Sequence, residues 1–227
     1  MEQTTTRDDR GTLARVTDAV YWFVLIGLSL AVCCAPTIVL WLLLAQDASN
    51  LPLYAVGLLP VAPAVSAALW AWRSRERDPD TVPVARFLRG YRLNLVDSLR
   101  VAVPAAALLG ILSINVTYGD AVRTSSLNIA FVVLGLAVLL LAVRALSISS
   151  ALSFRYRDVL RLSVFTLLTM PLRTLSLVSL GVLVVGLSLF VGDYAVVLLA
   201  SVLTFFLHLS ERPVLERLTE QFVAADA

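Results

Sequence analysis

The chain has no lysine; all 18 of its basic residues are arginine. It has one histidine, His208, and two cysteines, Cys33 and Cys34. A lone histidine excludes a multi-histidine metal centre and leaves a histidine-based triad only one place to form. Two adjacent cysteines inside an apolar run read as small apolar fillers, not as a disulfide or a metal pair. The sequence also lacks a phosphate-cradling glycine loop, a nucleophile elbow and paired-cysteine metal spacing. No acidic residue or histidine falls near the middle of an apolar run, which argues against a proton-coupled transporter. We therefore expect neither catalytic residues nor a cofactor or metal.

What the chain has in abundance is apolar sequence. Of its 227 residues, 59% are hydrophobic and the mean hydropathy is +0.87, against roughly 45–50% apolar in a soluble domain. Several apolar runs reach the length of about 20 residues that a helix needs to cross a bilayer. None shows the period-two alternation of a membrane β-barrel strand. The predicted fold is all-α: a polytopic membrane protein with six transmembrane helices, at about 20–45, 51–72, 101–118, 127–146, 171–191 and 194–209. Residues 1–19 and 210–227 form the tails. The first run is about twice a signal-peptide core of 7–15 residues, so it is retained as a helix.

On this reading 17 of the 18 arginines fall on one side of the membrane, Arg123 being the exception. Loops rich in arginine stay inside, so both termini are expected in the cytoplasm of a bacterial cell membrane. The last crossing has only about 16 residues, or roughly 24 Å, short of a hydrocarbon core of about 30 Å. A five-crossing count is the competitor, and it would strand Arg212 and Arg217 on the wrong side. Arginines that flank membrane runs point to lipid as a partner and not to nucleic acid, although the pI is near 8.7.

Outside the crossings, the clearest pattern lies at 84–100. Wound as a helix, it gathers Val84, Phe87, Leu88, Tyr91, Leu95 and Leu99 on one side, with Arg86, Arg89, Arg92, Asp97 and Arg100 opposite alongside Gly90 and Asn94. This predicts a cytoplasmic amphipathic helix between the second and third crossings. It would dock on a partner or lie on the membrane surface, with Arg86, Phe87, Arg89, Tyr91, Arg92 and Asn94 as the contact residues. Phe154-Arg155-Tyr156-Arg157 is a weaker echo of the same pattern. Arg155, Arg157 and Arg173 are expected at the interface, as is His208, where long side chains can reach headgroups. Pro60 and Pro63 are expected to kink the second crossing, freeing carbonyls beside the small residues Ala64, Ser66, Ala67 and Ala68.

Pro63-Ala64-Val65-Ser66-Ala67-Ala68-Leu69, the Phe87–Leu99 stretch with Tyr91, Arg92 and Asn94, and Pro171-Leu172-Arg173-Thr174 together resemble the YesL-like family. These are small bacterial multi-helix membrane proteins grouped under a domain of unknown function. The resemblance covers about residues 20–210, in order and spacing. Where the family shows a threonine-glycine pair before the proline of the second crossing, this chain has Val61-Ala62, so that polar pair has no counterpart. Family members are associated with carbohydrate uptake and with permease subunits of sugar ATP-binding-cassette (ABC) transporters. The resemblance thus implies a non-enzymatic accessory or assembly role in carbohydrate transport, with such permease subunits as partners. The alternative is an autonomous small-solute permease built around the Pro60/Pro63 kink, and both readings admit a homo-oligomer.

Overall fold

The computed structural model describes residues 12–45, 47–78, 81–118, 125–152 and 154–220, and every strand-or-helix assignment among them is helical. The helices are α1 (Thr12–Cys33), α2 (Ala35–Leu43), α3 (Leu51–Gly57), α4 (Val61–Arg77), α5 (Pro83–Tyr118), α6 (Ser125–Ser149), α7 (Tyr156–Thr169), α8 (Pro171–Phe190), α9 (Asp193–Leu198) and α10 (Ala200–Leu218). Among the described residues, five helical segments are long and apolar enough to cross a bilayer: Ala14–Cys33, Leu51–Arg77, Pro83–Thr117, Leu127–Ser149 and Pro171–Phe190. Their outer surfaces are dominated by exposed aliphatic side chains, such as Ile129, Val132, Val133 and Leu136 on α6 and Leu172, Leu175, Val182 and Leu189 on α8. A surface of this kind cannot be sustained in water and faces lipid. The chain is an all-α, multi-pass membrane protein.

The helical boundaries differ from the expected ones in instructive ways. The first run starts earlier, at Thr12, and breaks at Cys34, where Pro36 enters the first turn of α2. Pro60 and Pro63 do not kink one continuous helix. A turn at Leu58–Pro60 ends α3, Pro60 caps α4, and Pro63 lies buried in the first turn of α4, where a proline removes no intrahelical bond. Val56 O, which the missing N–H of Pro60 would leave free, accepts from Leu59 N at 3.1 Å, and Val61 N and Ala62 N both donate to Leu58 O at 3.1 and 3.3 Å. Buried Thr37 Oγ1 also donates to Gly57 O at 2.7 Å, tying α2 to α3.

The largest departure is α5. The expected surface helix at 84–100 and the expected crossing at 101–118 are one helix of 36 residues, with Pro104 inside it. At 1.5 Å per residue it is about 54 Å long, well beyond a hydrocarbon core of about 30 Å. A helix continuous with a crossing does not lie flat on the membrane. Its buried seam is also rotated from the expected apolar face: Gly90 and Asn94 of the expected polar side are buried with Pro83, Phe87 and Ser98, while Leu88 of the expected apolar side is exposed. The reason is close packing against α4. A Cβ on Gly90 would lie 2.7 Å from Trp70 Cβ, so only glycine allows this approach.

The sixth expected crossing is broken. Gly192, at φ +115°, turns the chain after α8, α9 ends at Leu198, and α10 runs on to Leu218 through Pro213. The expected outer loop with Arg123 falls mainly on residues 119–124, outside the described residues, as do the ends of both tails (1–11 and 221–227). Helix α7 was not expected as a separate element; Val159, Ser163 and Thr166 give it a buried side at helical spacing.

The core is built around α4. Ala64, Ala67, Ala68 and Ala71 are fully buried against Trp22, Ile26 and Leu30 of α1 and Phe87 of α5. Alanines let the backbones approach, and the aromatic rings fill the remaining space. Trp72 sits at the centre, with Phe23 and Phe205 ring centroids 4.9 and 5.1 Å away. Its Nε1 donates to Thr204 Oγ1 of α10 at 3.3 Å.

Candidate functional site

The polar chemistry collects where the C-terminal parts of α4, α6 and α10 meet. Helical spacing on α10 aligns Thr204, Leu207, His208, Glu211, Val214, Leu215 and Leu218 on one buried side. Glu211 therefore points into the bundle, although charged Arg212 and Glu216 stand next to that side. Arg144, one turn before the end of α6, donates from Nη1 to Glu211 Oε1 at 2.8 Å. The two side chains are 0% and 1% exposed. Arg144 Nε and Nη2 and Glu211 Oε2 are buried without a hydrogen-bond partner among the described residues.

A second, more open group lies beside this pair. Glu76 Oε1, at the end of α4, is 3.2 Å from His208 Nε2 and accepts from Arg212 Nη1 at 3.3 Å. Arg212 also donates from Nε to Glu216 Oε1 at 2.9 Å. The bond to Glu216, with Glu76 nearby, holds the Arg212 guanidinium above its ordinary value. Arg73 Nη2 donates to the carbonyl and the hydroxyl of Ser150, at 2.6 and 2.8 Å, and so pins the end of α6 to α4. Arg75 pairs with Asp18 of α1 at 2.9 Å and lies over the Trp22 ring. Apart from the Arg212–Glu216 bond within α10, each of these contacts ties one helix to another. The carboxylates of Glu76 and Glu211 are engaged by cations, an arrangement suited to fastening helices together.

The residues singled out from sequence are scattered. Phe87 is buried in the α1–α4–α5 core, and Tyr91 stacks on it at 6.5 Å. Asn94 is buried, with Nδ2 lacking a partner among the described residues. Phe87 and Tyr91 thus belong to the core shared by α1, α4 and α5. Arg86 is tied to Asp78 at 2.8 Å. Arg89 and Arg92 are exposed and share the outer side of α5 with Leu88, Leu93 and Val96. Arg155 caps α7 through backbone geometry alone, and it and Arg157 are exposed; Arg173 is half-buried in the first turn of α8.

Sequence reasoning missed the Arg144–Glu211 pair and placed His208 at the interface, whereas it is buried at 2% exposure. The signal was present: apolar periodicity on α10 continues through Val214, Leu215 and Leu218, past the point where mean hydropathy falls.

Fold and site together define an all-α membrane protein whose helices are fastened at one end by arginine ion pairs. No family model, no curated protein and no solved structure matches the chain.

Proposed function

We propose that this chain is a non-enzymatic accessory protein of the bacterial cell membrane, with the arginine-rich end in the cytoplasm. We propose further that it assists a sugar ABC transporter by contacting the permease subunits. The resemblance to the YesL-like family suggests the transporter. The observation that carries the docking role is α5, a single 36-residue helix that is longer than a crossing of about 30 Å needs.

The first half of α5 is held rigidly. Gly90 is locked against Trp70, Arg86 against Asp78, and α4 itself against α1 and α10. Its outer side presents Leu88, Leu93 and Val96, at 48%, 56% and 58% exposure, interleaved with Arg89 and Arg92. Neither arginine has a partner among the described residues. Apolar anchors ringed by arginine are the composition of a protein contact surface. A preformed helical arm also loses little conformational entropy on docking.

Site-specific photocrosslinking tests this reading. A photoreactive residue at Leu93 or Val96 is expected to capture a permease subunit in native membranes, and one at buried Phe87 is not. Crosslinks to lipid alone from both exposed positions would contradict it.

A further inference from the structure

The N-cap and first two turns of α7 carry a cluster of cationic side chains that bond to nothing else among the described residues. Arg155, Arg157 and Arg161 are exposed, and none has an ion-pair or hydrogen-bond partner among the described residues. By contrast Arg73, Arg75, Arg86, Arg100, Arg144 and Arg212 are all bonded. Cations at the start of a helix oppose its dipole, so the cluster does not serve the stability of α7. Asp158 is the one acidic residue within those turns.

The outer side of α7 changes character along its length. It begins with Arg157 and Arg161 and continues within one turn to Val164, Phe165 and Leu168, which are 46%, 52% and 77% exposed. Leu172 and Leu175 of α8 extend this apolar surface. The cations therefore stand at the edge of the lipid-facing surface, where phospholipid phosphates lie. A shallow cleft next to Tyr156 is lined by Asp97, its ion-pair partner Arg100 and Val101 of α5, together with Phe154 and Val159.

We infer that the arginine cluster of α7 is a binding surface for anionic phospholipid headgroups, with the acyl chains lying along Val164, Phe165, Leu168 and Leu172. Charge complementarity selects the headgroup, and continuity with the apolar surface selects lipid over a soluble acidic partner.

The test uses the full chain purified in detergent and titrated with phosphatidylglycerol or phosphatidylcholine, with thermal stability and native mass spectrometry as readouts. The wild type is expected to retain phosphatidylglycerol in preference to phosphatidylcholine. The variant Arg155→Gln/Arg157→Gln/Arg161→Gln should lose that preference, by about five-fold per arginine and roughly a hundred-fold in all, with unchanged stability in phosphatidylcholine. The lysine counterpart Arg155→Lys/Arg157→Lys/Arg161→Lys should keep most of it, and Arg77→Gln/Arg217→Gln, which removes charge elsewhere, should keep all of it. Equal retention of the two lipids by the wild type would overturn the inference. So would an undiminished preference in the glutamine variant, or equal stabilisation by inorganic phosphate or an acidic peptide.

Discussion

Arg144 and Glu211, 67 residues apart in the chain, meet at 2.8 Å with neither side chain reaching the surface. The pair joins the end of α6 to the middle of α10, a 19-residue helix whose sequence is too charged to qualify as a crossing. A carboxylate on α10 is tolerated there because an arginine is already waiting. Neutralising either partner leaves the other charge buried alone, which costs about 3–5 kcal/mol. Arg144→Gln and Glu211→Gln should each lower the thermal midpoint sharply in detergent. The paired apolar replacement Arg144→Met/Glu211→Leu should recover most of the loss, because it removes both desolvation penalties. A strongly destabilised double variant would show that the pair does more than compensate itself.

Glu76 makes the contrasting case. It contacts His208 and Arg212, yet its side chain is 42% exposed, and water screens such pairs to at most about 1 kcal/mol. Glu76→Gln should therefore shift the thermal midpoint far less than Glu211→Gln does. Equal shifts for the two would mean that the open group is as structurally committed as the buried one.

At Gly90 propensity and packing disagree. Alanine is favoured over glycine by about 1 kcal/mol within a helix, but a Cβ here meets Trp70 at 2.7 Å. Overpacking costs about 1–3 kcal/mol, so Gly90→Ala should destabilise the protein. Trp70→Ala/Gly90→Ala should be less destabilised than the two single losses summed, because the ring atoms Cγ and Cδ1, each 2.8 Å from the added Cβ, are then gone. Thermal unfolding of the four proteins forms the double-mutant cycle that decides this.

The sequence made the membrane class legible because length and apolarity are properties of a single segment. Five of the predicted crossings overlap the five qualifying helices, and the predicted fifth, at 171–191, differs from α8 by one residue at its end. What was not legible depends on partners elsewhere in the chain. The apolar arc of the 84–100 helix pointed to Val84, Leu88 and Leu95, but α4 offered Trp70, Gly90 is the residue that fits against it, and the buried side runs on through Asn94 and Ser98. Here close fit against Trp70 decides the seam, and the most apolar side of the helix does not. Nothing local to Arg144 reveals that Glu211 lies opposite.

The proposal of an accessory role stands on the exposed outer side of α5, and one experiment addresses it most directly. Tagged wild type and Arg89→Glu/Arg92→Glu are isolated from native membranes in mild detergent, and accompanying proteins are quantified by mass spectrometry. The account predicts stoichiometric sugar-transporter permease subunits with the wild type and a loss of about ten-fold or more with the variant, consistent with two contact-surface charges at roughly 1 kcal/mol each, while both proteins insert equally. Permease recovery that is unchanged by the two reversals, or a wild type that comes out alone, would contradict it.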